Sequence, residues 1–439
     1  MRKFTGYFSV CQRHRKPRFY LESRRLVQLG FDAGMSIEVS KEGTSLLVKP
    51  GGRAATHLVQ GRKTVHGFVR PVISIGAQAY VDAFKVGEEI KVEGHHGLLR
   101  VSPTVRAFHI RRALAAPAPY RVLEIFAGGG LLSNIFDGDG RFTVVAGQEI
   151  EPNYADIWES AHPQAELFLG DFRSANADDY PPFDILAGGL PCDKFSPANR
   201  TRTASASADA CLKGDSADLF IPFLSLVSEK MPLGIVLEQV PEFQKSIAGQ
   251  LVIDGLRRLG YHVTATVIEP HSEWGEVSDR RRLALLANLR APFKVVPPMV
   301  RFRGCLDQFL DQPDAVADRR DAEFIQVRVT AMAAHAARHR AKDKRSNFGL
   351  VFCDRDSKKI GTIKRTYANV NYGPVLRTEQ GPRLFRKHEL ERIMQCEVRT
   401  ESFIWASQII GQGVQGGPWK EIVRQFGEHL AGTSFNASL

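Results

Sequence analysis

From residue 121 onward, short apolar runs alternate with stretches of helical periodicity. The runs lie at 121–126, 143–148, 183–187, 234–237, 262–268 and 283–287. Runs with so few polar positions suit strands covered on both faces, and strands separated by helix-length segments pair in parallel. The expected fold is therefore α/β, a Rossmann-like layer structure around a mostly parallel sheet. This pattern starts after Ala-Ala-Pro-Ala-Pro at 115–119, a linker composition, and lapses between 291 and 383, where Pro, Arg, Lys and Tyr rise. Helical periodicity resumes at 386–394 and 418–430. The expected division is 1–115, 116–290, 291–383 inserted into the α/β domain, and 384–439 completing it.

Residues 1–115 hold an internal repeat at a constant offset of 53. Phe31, Gly34, Ile37, Val39, Leu46, Val48 and Pro50 recur as Phe84, Gly87, Ile90, Val92, Leu99, Val101 and Pro103. Each copy reads as a strand, a brief helix or turn, and a hairpin of alternating apolar residues. Two copies predict a small pseudo-twofold β domain in which each half covers the other's apolar face. The pattern resembles the swapped-hairpin modules of AbrB-like and SymE-like proteins, which implies a role in DNA binding or docking.

Charge is unevenly placed. Residues 1–115 carry 20 Lys+Arg against 8 Asp+Glu, and residues 291–383 carry 18 against 10, within a chain of net charge +11. The remainder is acidic, so two basic regions flank an acidic one, as expected for a chain that holds a polyanion. No apolar run is long enough to span a bilayer and the basic N-terminus lacks a signal-peptide core, so neither membrane insertion nor export is expected. Six cysteines, at 11, 192, 211, 305, 353 and 396, show no paired spacing. That usage predicts a reducing cytoplasm, with neither a disulfide framework nor a metal site.

The chemistry-bearing segments sit at predicted strand ends. Val122-Leu-Glu-Ile-Phe-Ala-Gly-Gly-Gly130 runs a strand into a glycine turn that lets backbone approach a cofactor. Glu149 ends the second strand, where a carboxylate suits a ribose diol, and Asp171 follows the third, where it could accept from an adenine amino group. Either acid could equally cap a helix. With no phosphate-binding glycine fingerprint, the pair points to a nucleoside ligand lacking a phosphate tail. Gly188-Gly-Leu-Pro-Cys192 delivers one thiol from a strand end, a candidate nucleophile. Glu238 follows a neighbouring strand and is a candidate general acid, or a salt-bridge partner. Strand alternation through Ser278-Asp-Arg-Arg-Arg282 predicts Arg280 and Arg282 on one face and Arg281 on the other.

In their order, FAGGG, the acid at 149, Gly170-Asp171, GLPCDKFS, LEQV, SDRRR, the helix at 386–395 and Gly411-Gln-Gly-Val414 resemble the ordered motifs of the DNA cytosine-5 methyltransferases. The likeness covers about residues 120–430, and its 366–369 segment with 347–350 loosely resembles the Dcm-type branch. It implies methyl transfer from S-adenosyl-L-methionine to C5 of a flipped-out cytosine in specific sites of double-stranded DNA. Cys192, shaped by Pro191, would add to C6; Glu238 would protonate N3; Arg282 with Arg280 would steady the O2 edge. Phe126, Ala127, Gly128, Gly130, Glu149, Ile150, Asp171, Phe172, Gln412 and Val414 would line the cofactor site. Residues 199–214 would form a lid, and residues 291–383 would read the target. The resemblance implies a bacterial or phage protein working in the cytoplasm at the nucleoid, and admits a cognate restriction endonuclease as a second partner.

Three residues depart from the family pattern. Asp193 replaces a usual Gln after the nucleophile, Gln239 a usual Asn, and Gln412 a usual Asn. A carboxylate at 193 would tend to raise the thiol pKa unless a cation such as Lys194 offsets it. Two rival readings follow: the same scaffold acting on RNA or with a modified donor, and a DNA-binding regulator whose methyltransferase domain has decayed. The target sequence is not legible, because base-edge contacts come from loops.

Overall fold

The computed structural model describes residues 3–191 and 218–432, apart from 14–15, 53–54, 56, 77–82, 299–303, 312–326, 332–333, 335–336, 338–350, 370–372 and 380. Cys192, Asp193, the 199–214 segment and residues 347–350 therefore lie outside the described residues. The chain forms two compact units, Met1–Arg112 and Ala113–Leu439.

In the first unit β1 (Phe4–Ser9), β2 (Cys11–Arg13) and β3 (Lys16–Glu22) precede a one-turn helix, α1 (Arg25–Gln28). The hairpin β4 (Ser36–Glu42) and β5 (Ser45–Pro50) follows. The second copy repeats the order with β6 (His57–Leu58), β7 (Gln60–Lys63), β8 (Val69–Gly76) and the hairpin β9 (Glu89–His95) and β10 (Leu98–Pro103). Helix α2 (Val105–Leu114) leads out. Two sheets result, β1-β9-β10-β5-β4-β6 and β2-β3-β8-β7.

The register carries the repeat into space. Leu99 pairs with Val48 and Val101 with Leu46, while Tyr20 pairs with Ser74 and Leu21 with Ile73. Each pair maps onto the other under the 53-residue offset, so both sheets straddle one pseudo-twofold axis. The first strand of each copy pairs with the other copy's hairpin: β1 with β9, and β6 with β4. Ile37, Val39, Leu46 and Val48 and their counterparts Ile90, Val92, Leu99 and Val101 are all buried in one cluster. Gly34 (φ +88°) and Gly87 (φ +81°) lead into the two hairpins in a left-handed conformation that a Cβ disfavours.

The second unit is built on seven strands. They are β11 (Tyr120–Ile125), β12 (Phe142–Glu149), β13 (Glu166–Leu169), β14 (Ile185–Gly188), β15 (Gly234–Gln239), β16 (His262–Ile268) and β17 (Arg282–Asn288). The sheet order is β13-β12-β11-β14-β15-β17-β16. The first five pair in parallel, and β17 runs antiparallel to both its neighbours. Helices α3 (Leu131–Asp137), α4 (Pro152–Ala161), α5 (Phe220–Lys230), α6 (Ile247–Arg258) and α7 (Pro270–Trp274) connect them. Order reverses between β11 and β14, so loops at the carboxyl ends of those strands diverge and leave a crevice.

A three-stranded sheet, β18 (Val351–Cys353), β19 (Pro374–Thr378) and β20 (Gly381–Arg383), precedes α8 (Lys387–Met394), α9 (Phe403–Gln412) and α10 (Gly416–Ala431). Cys353 and Leu376 from this sheet, Ile409 from α9 and Phe426 from α10 share one buried cluster with Phe136 and Trp158. Arg383 donates to the buried Glu389 at 2.7 and 2.8 Å, tying β20 to α8.

Candidate active site

The glycine turn after β11 opens with Phe126, whose φ of +54° is left-handed for a non-glycine residue. The main chain is held there by the end of β12. Ala127 N donates to Gln148 O at 3.0 Å and Gly128 N to Glu149 Oε2 at 2.7 Å. Glu149 Oε1 accepts from Ile150 N and Glu151 N at 2.8 and 2.9 Å. The turn and the carboxylate thus fix each other at the carboxyl ends of adjacent strands, β11 and β12. Ile150 beyond it is exposed.

Gly130 (φ +82°) has a second reason to be glycine. A Cβ there would lie 3.0 Å from Trp158 Cδ1 and 3.1 Å from His162 Nε2. Trp158, fully buried, donates through Nε1 to Ser133 Oγ at 3.2 Å, and Ser133 donates to Glu124 Oε2. His162 Nδ1 lies 2.9 Å from Asp137 Oδ2. Burial pushes the Glu124 carboxyl up to about 7, against the hydrogen bonds that pull it down. This polar network under the turn was not anticipated. Its one sequence signal is an acid in the middle of an otherwise apolar strand.

Phe172 packs edge-on against Phe126, with ring centroids 5.1 Å apart. Asp171 is a cap: its Oδ1 accepts from Arg173 N at 2.9 Å at the start of a short 3-10 turn. Its two oxygens also accept from the Arg173 guanidinium at 3.2 and 3.0 Å. Arg173 reaches on to Asp218 at 2.7 Å, a residue missed in the sequence. Gln412 and Val414 come from the far end of the chain. Val414 is buried, and the Gln412 amide nitrogen lies 3.9 Å from where a Gly128 Cβ would stand. A Cβ at Gly129 would press on Ile409 Cδ1 at 2.5 Å, so α9 packs directly on the turn. The structure thus brings Phe126, Ala127, Gly128, Glu149 and Phe172 together around the ends of β11 and β12, with Gln412 approaching from α9.

The second cluster lies on the other side of β14. Gly188 pairs with Leu237 in the parallel register, so Gly189 sits beside Glu238; a Cβ at Gly189 would lie 3.3 Å from Glu238 Oε2. Across the antiparallel pair Glu238 opposes Ala284, which makes Arg282 its diagonal neighbour on the same face. Arg282 Nε meets Glu238 Oε1 at 2.5 Å, with both side chains largely buried. Pro191 is half-buried at the mouth. Gln239 Nε2 donates to Leu190 O and its Oε1 accepts from Val240 N at 3.0 Å. The longer amide at this position therefore makes the bond that supports the loop leading to Cys192.

Arg280 departs from the expected alternation. The strand begins only at Arg282, so period-two geometry does not extend back to 280. Arg280 is buried and donates through Nη1 to Ile363 O at 3.0 Å and Gly411 O at 2.9 Å. Its guanidinium ties the segment before β17 to α9, while Arg282 takes the Glu238 carboxylate and the exposed Arg281 the half-buried Glu269.

Comparisons with known proteins bear on the family and the fold. Residues 120–394 match the family of C-5 cytosine-specific DNA methylases. The Type II methyltransferase M.Bsp6I of Bacillus sp. (strain RFL6) is 27% identical over 173 residues, 39% of this chain and 52% of that one. M.DsaV of Dactylococcopsis salina is 23% identical over 286 residues, 62% of this chain and 75% of that one. The chain thus spans about half the length of the first of these relatives. Two solved structures share the fold. Dnmt2 methyltransferase of S. pombe superposes with a TM-score of 0.56 at 15% identity, over 72% of this chain and all of that one. The Entamoeba histolytica methyltransferase EhMeth gives 0.57 at 13%, over 72% and 98%. With its family match running from β11 to the helix after the three-stranded sheet, this chain belongs to the C-5 cytosine-specific DNA methylases.

Proposed function

We propose that this protein transfers a methyl group from S-adenosyl-L-methionine to C5 of a cytosine flipped out of double-stranded DNA. The observation that carries the reading is the Glu238–Arg282 pair against Gly189, three residues ahead of Cys192. An acid held by a cation at the foot of a thiol-bearing loop is the arrangement that addition to a pyrimidine ring needs.

The residues around the glycine turn fit the donor. Glu149, held by three backbone N–H groups, keeps lone pairs for a ribose diol. Asp171 offers an acceptor to an adenine amino group, and Ile150 and Phe172 offer apolar surface to its ring. When bound, the donor supplies an electrophilic methyl on a sulfonium centre. Cys192 as thiolate forms a bond to C6, and Glu238 gives a proton to N3, so that negative charge does not build on the ring. Arg282 orients Glu238 and faces the O2 edge. After C5 has taken the methyl, the C5 proton passes to water, the C5=C6 bond re-forms as the Cys192 thiolate leaves C6, and N3 returns its proton to Glu238, which restores the aromatic base and the enzyme. Arg280 acts at one remove, as a positioning residue.

Trapping on a duplex carrying 5-fluorocytosine tests the reading, since fluorine cannot leave as a proton and the adduct persists. The wild type is expected to form a denaturation-resistant adduct that needs the donor, and Cys192→Ser none while still binding DNA. An adduct in the Cys192→Ser variant, or label from the donor in RNA and not DNA, would overturn it.

A further inference from the structure

The first unit has a surface that the catalytic reading leaves unused. In the sheet β2-β3-β8-β7, one face is core: Phe19, Leu21, Ile73 and Ile75 are buried. Alternation and register place Arg13, Lys16, Arg18, Tyr20 and Glu22 on the other face, with Arg62, Arg70 and Ser74. Five cations share that face with one carboxylate. Glu22 accounts for part of the charge, meeting Arg62 at 2.9 Å and Arg70 at 3.7 Å. Arg18 is set in place by Ser74 Oγ at 2.7 Å and by the Tyr20 ring, 4.9 Å from its guanidinium carbon. Arg13 and Lys16 are exposed.

The central β3–β8 pairing of this sheet is symmetric, but its two outer hairpins are not: Arg13 pairs with Lys16 across the first, whereas Lys63 pairs with Val69 across the second. The positions of Arg13, Lys16 and Arg18 in the first copy are those of His66, Val69 and Pro71 in the second, and Gln12 corresponds to Val65. Instead of cations, the second copy's hairpin tip bears Val65, 100% exposed, and Phe68, 61% exposed. Arg24 sits over the Phe68 ring at 5.3 Å. Apolar side chains raised on a tight turn beside arginines suit insertion at a groove, while a row of cations suits a phosphate backbone.

We propose that this face binds duplex DNA in a single orientation, with Arg13, Lys16 and Arg18 of the first copy along the phosphate backbone and the Val65–Phe68 tip of the second copy at a groove. The choice of DNA rests on the proposed methyl transfer to DNA by the second unit; charge complementarity supplies the rest. An identical pair of hairpins would bind equally well in two orientations related by the axis, whereas these two cannot exchange places.

The test uses the full chain and a fluorescent duplex, with anisotropy read as a function of salt and no donor present. Arg13→Gln with Lys16→Gln is expected to flatten the slope of log K against log salt by about 2. Val65→Ser with Phe68→Ala is expected to leave the slope unchanged, lower affinity about tenfold, and abolish the fluorescence change of a 2-aminopurine step. All four positions are exposed or at a turn, and circular dichroism checks that each variant folds. Unchanged salt slope and affinity in both variants would overturn the proposal, as would Phe68-dependent binding to phosphatidylserine vesicles without binding to the duplex. Methylation by the wild type is measured separately, so a failure of the catalytic reading is distinguishable from a failure of this one.

Discussion

At the scale of single residues, the site depends on side chains whose partners are fixed before substrate arrives. Glu238 is held by Arg282, and Gln239 next to it holds Leu190 O. Glu238→Gln removes the proton donor with little change of shape, so turnover is expected to fall by about 10² to 10⁴ with DNA affinity kept. Single-turnover methylation beside a binding titration checks it; equal losses in both would point to misfolding. Gln239→Ala leaves a buried carbonyl without its donor, and a loss of about 1–3 kcal/mol of stability is expected in urea unfolding, together with slower adduct formation. Glu238 and Arg282 were legible from sequence because each follows or opens an apolar run. The different path of Arg280 was not, since where a strand begins is settled by its neighbours and not by its own residues.

Among the elements, the proposed cofactor side is a stack: Trp158 of α4 beneath the glycine turn, and Ile409 of α9 against it. Gly130→Ala is expected to weaken donor binding and lower the melting temperature. The left-handed conformation alone costs an alanine about 1–2 kcal/mol, and its Cβ would press on Trp158 and His162. Calorimetric titration with the donor and a thermal melt read the two effects; donor affinity equal to wild type would refute the stacking argument. The strands β11, β12 and β14 to β17 were readable as apolar runs of the right length. The contact of α9 with the turn was not, because it joins residues some 280 apart through shape alone. Likewise β1 and β6 escape notice: one is half polar, the other two residues long.

For the whole molecule, two buried acids set how stability responds to pH. Glu124 under the turn and Glu276, which accepts from Gln395 at 2.8 Å and Gln415 at 3.1 Å, are both pushed by burial from 4.5 up to about 7. A folded pKa above the unfolded one means the folded state keeps protons that the unfolded state has released. Their contribution is therefore complete below about pH 4.5 and lost as pH rises to about 7, by up to about 3 kcal/mol for each carboxyl. Urea unfolding of wild type and Glu124→Gln between pH 5 and 8 checks the sign: the variant should show the flatter profile. A variant profile as steep as wild type would remove Glu124 from the account.

The exchanged first strands of the N-terminal unit bear on how the chain is made. Strand β1 is made before its partner β9, which follows only some 80 residues later. Until then Phe4–Ser9 has an open edge, and the first copy's own hairpin lacks β6 as well. Neither copy can close by itself, so the nascent first copy must wait for the whole duplicated segment before it gains a stable structure. A polypeptide cut between β5 and β6 should accordingly yield two halves that fold only when mixed.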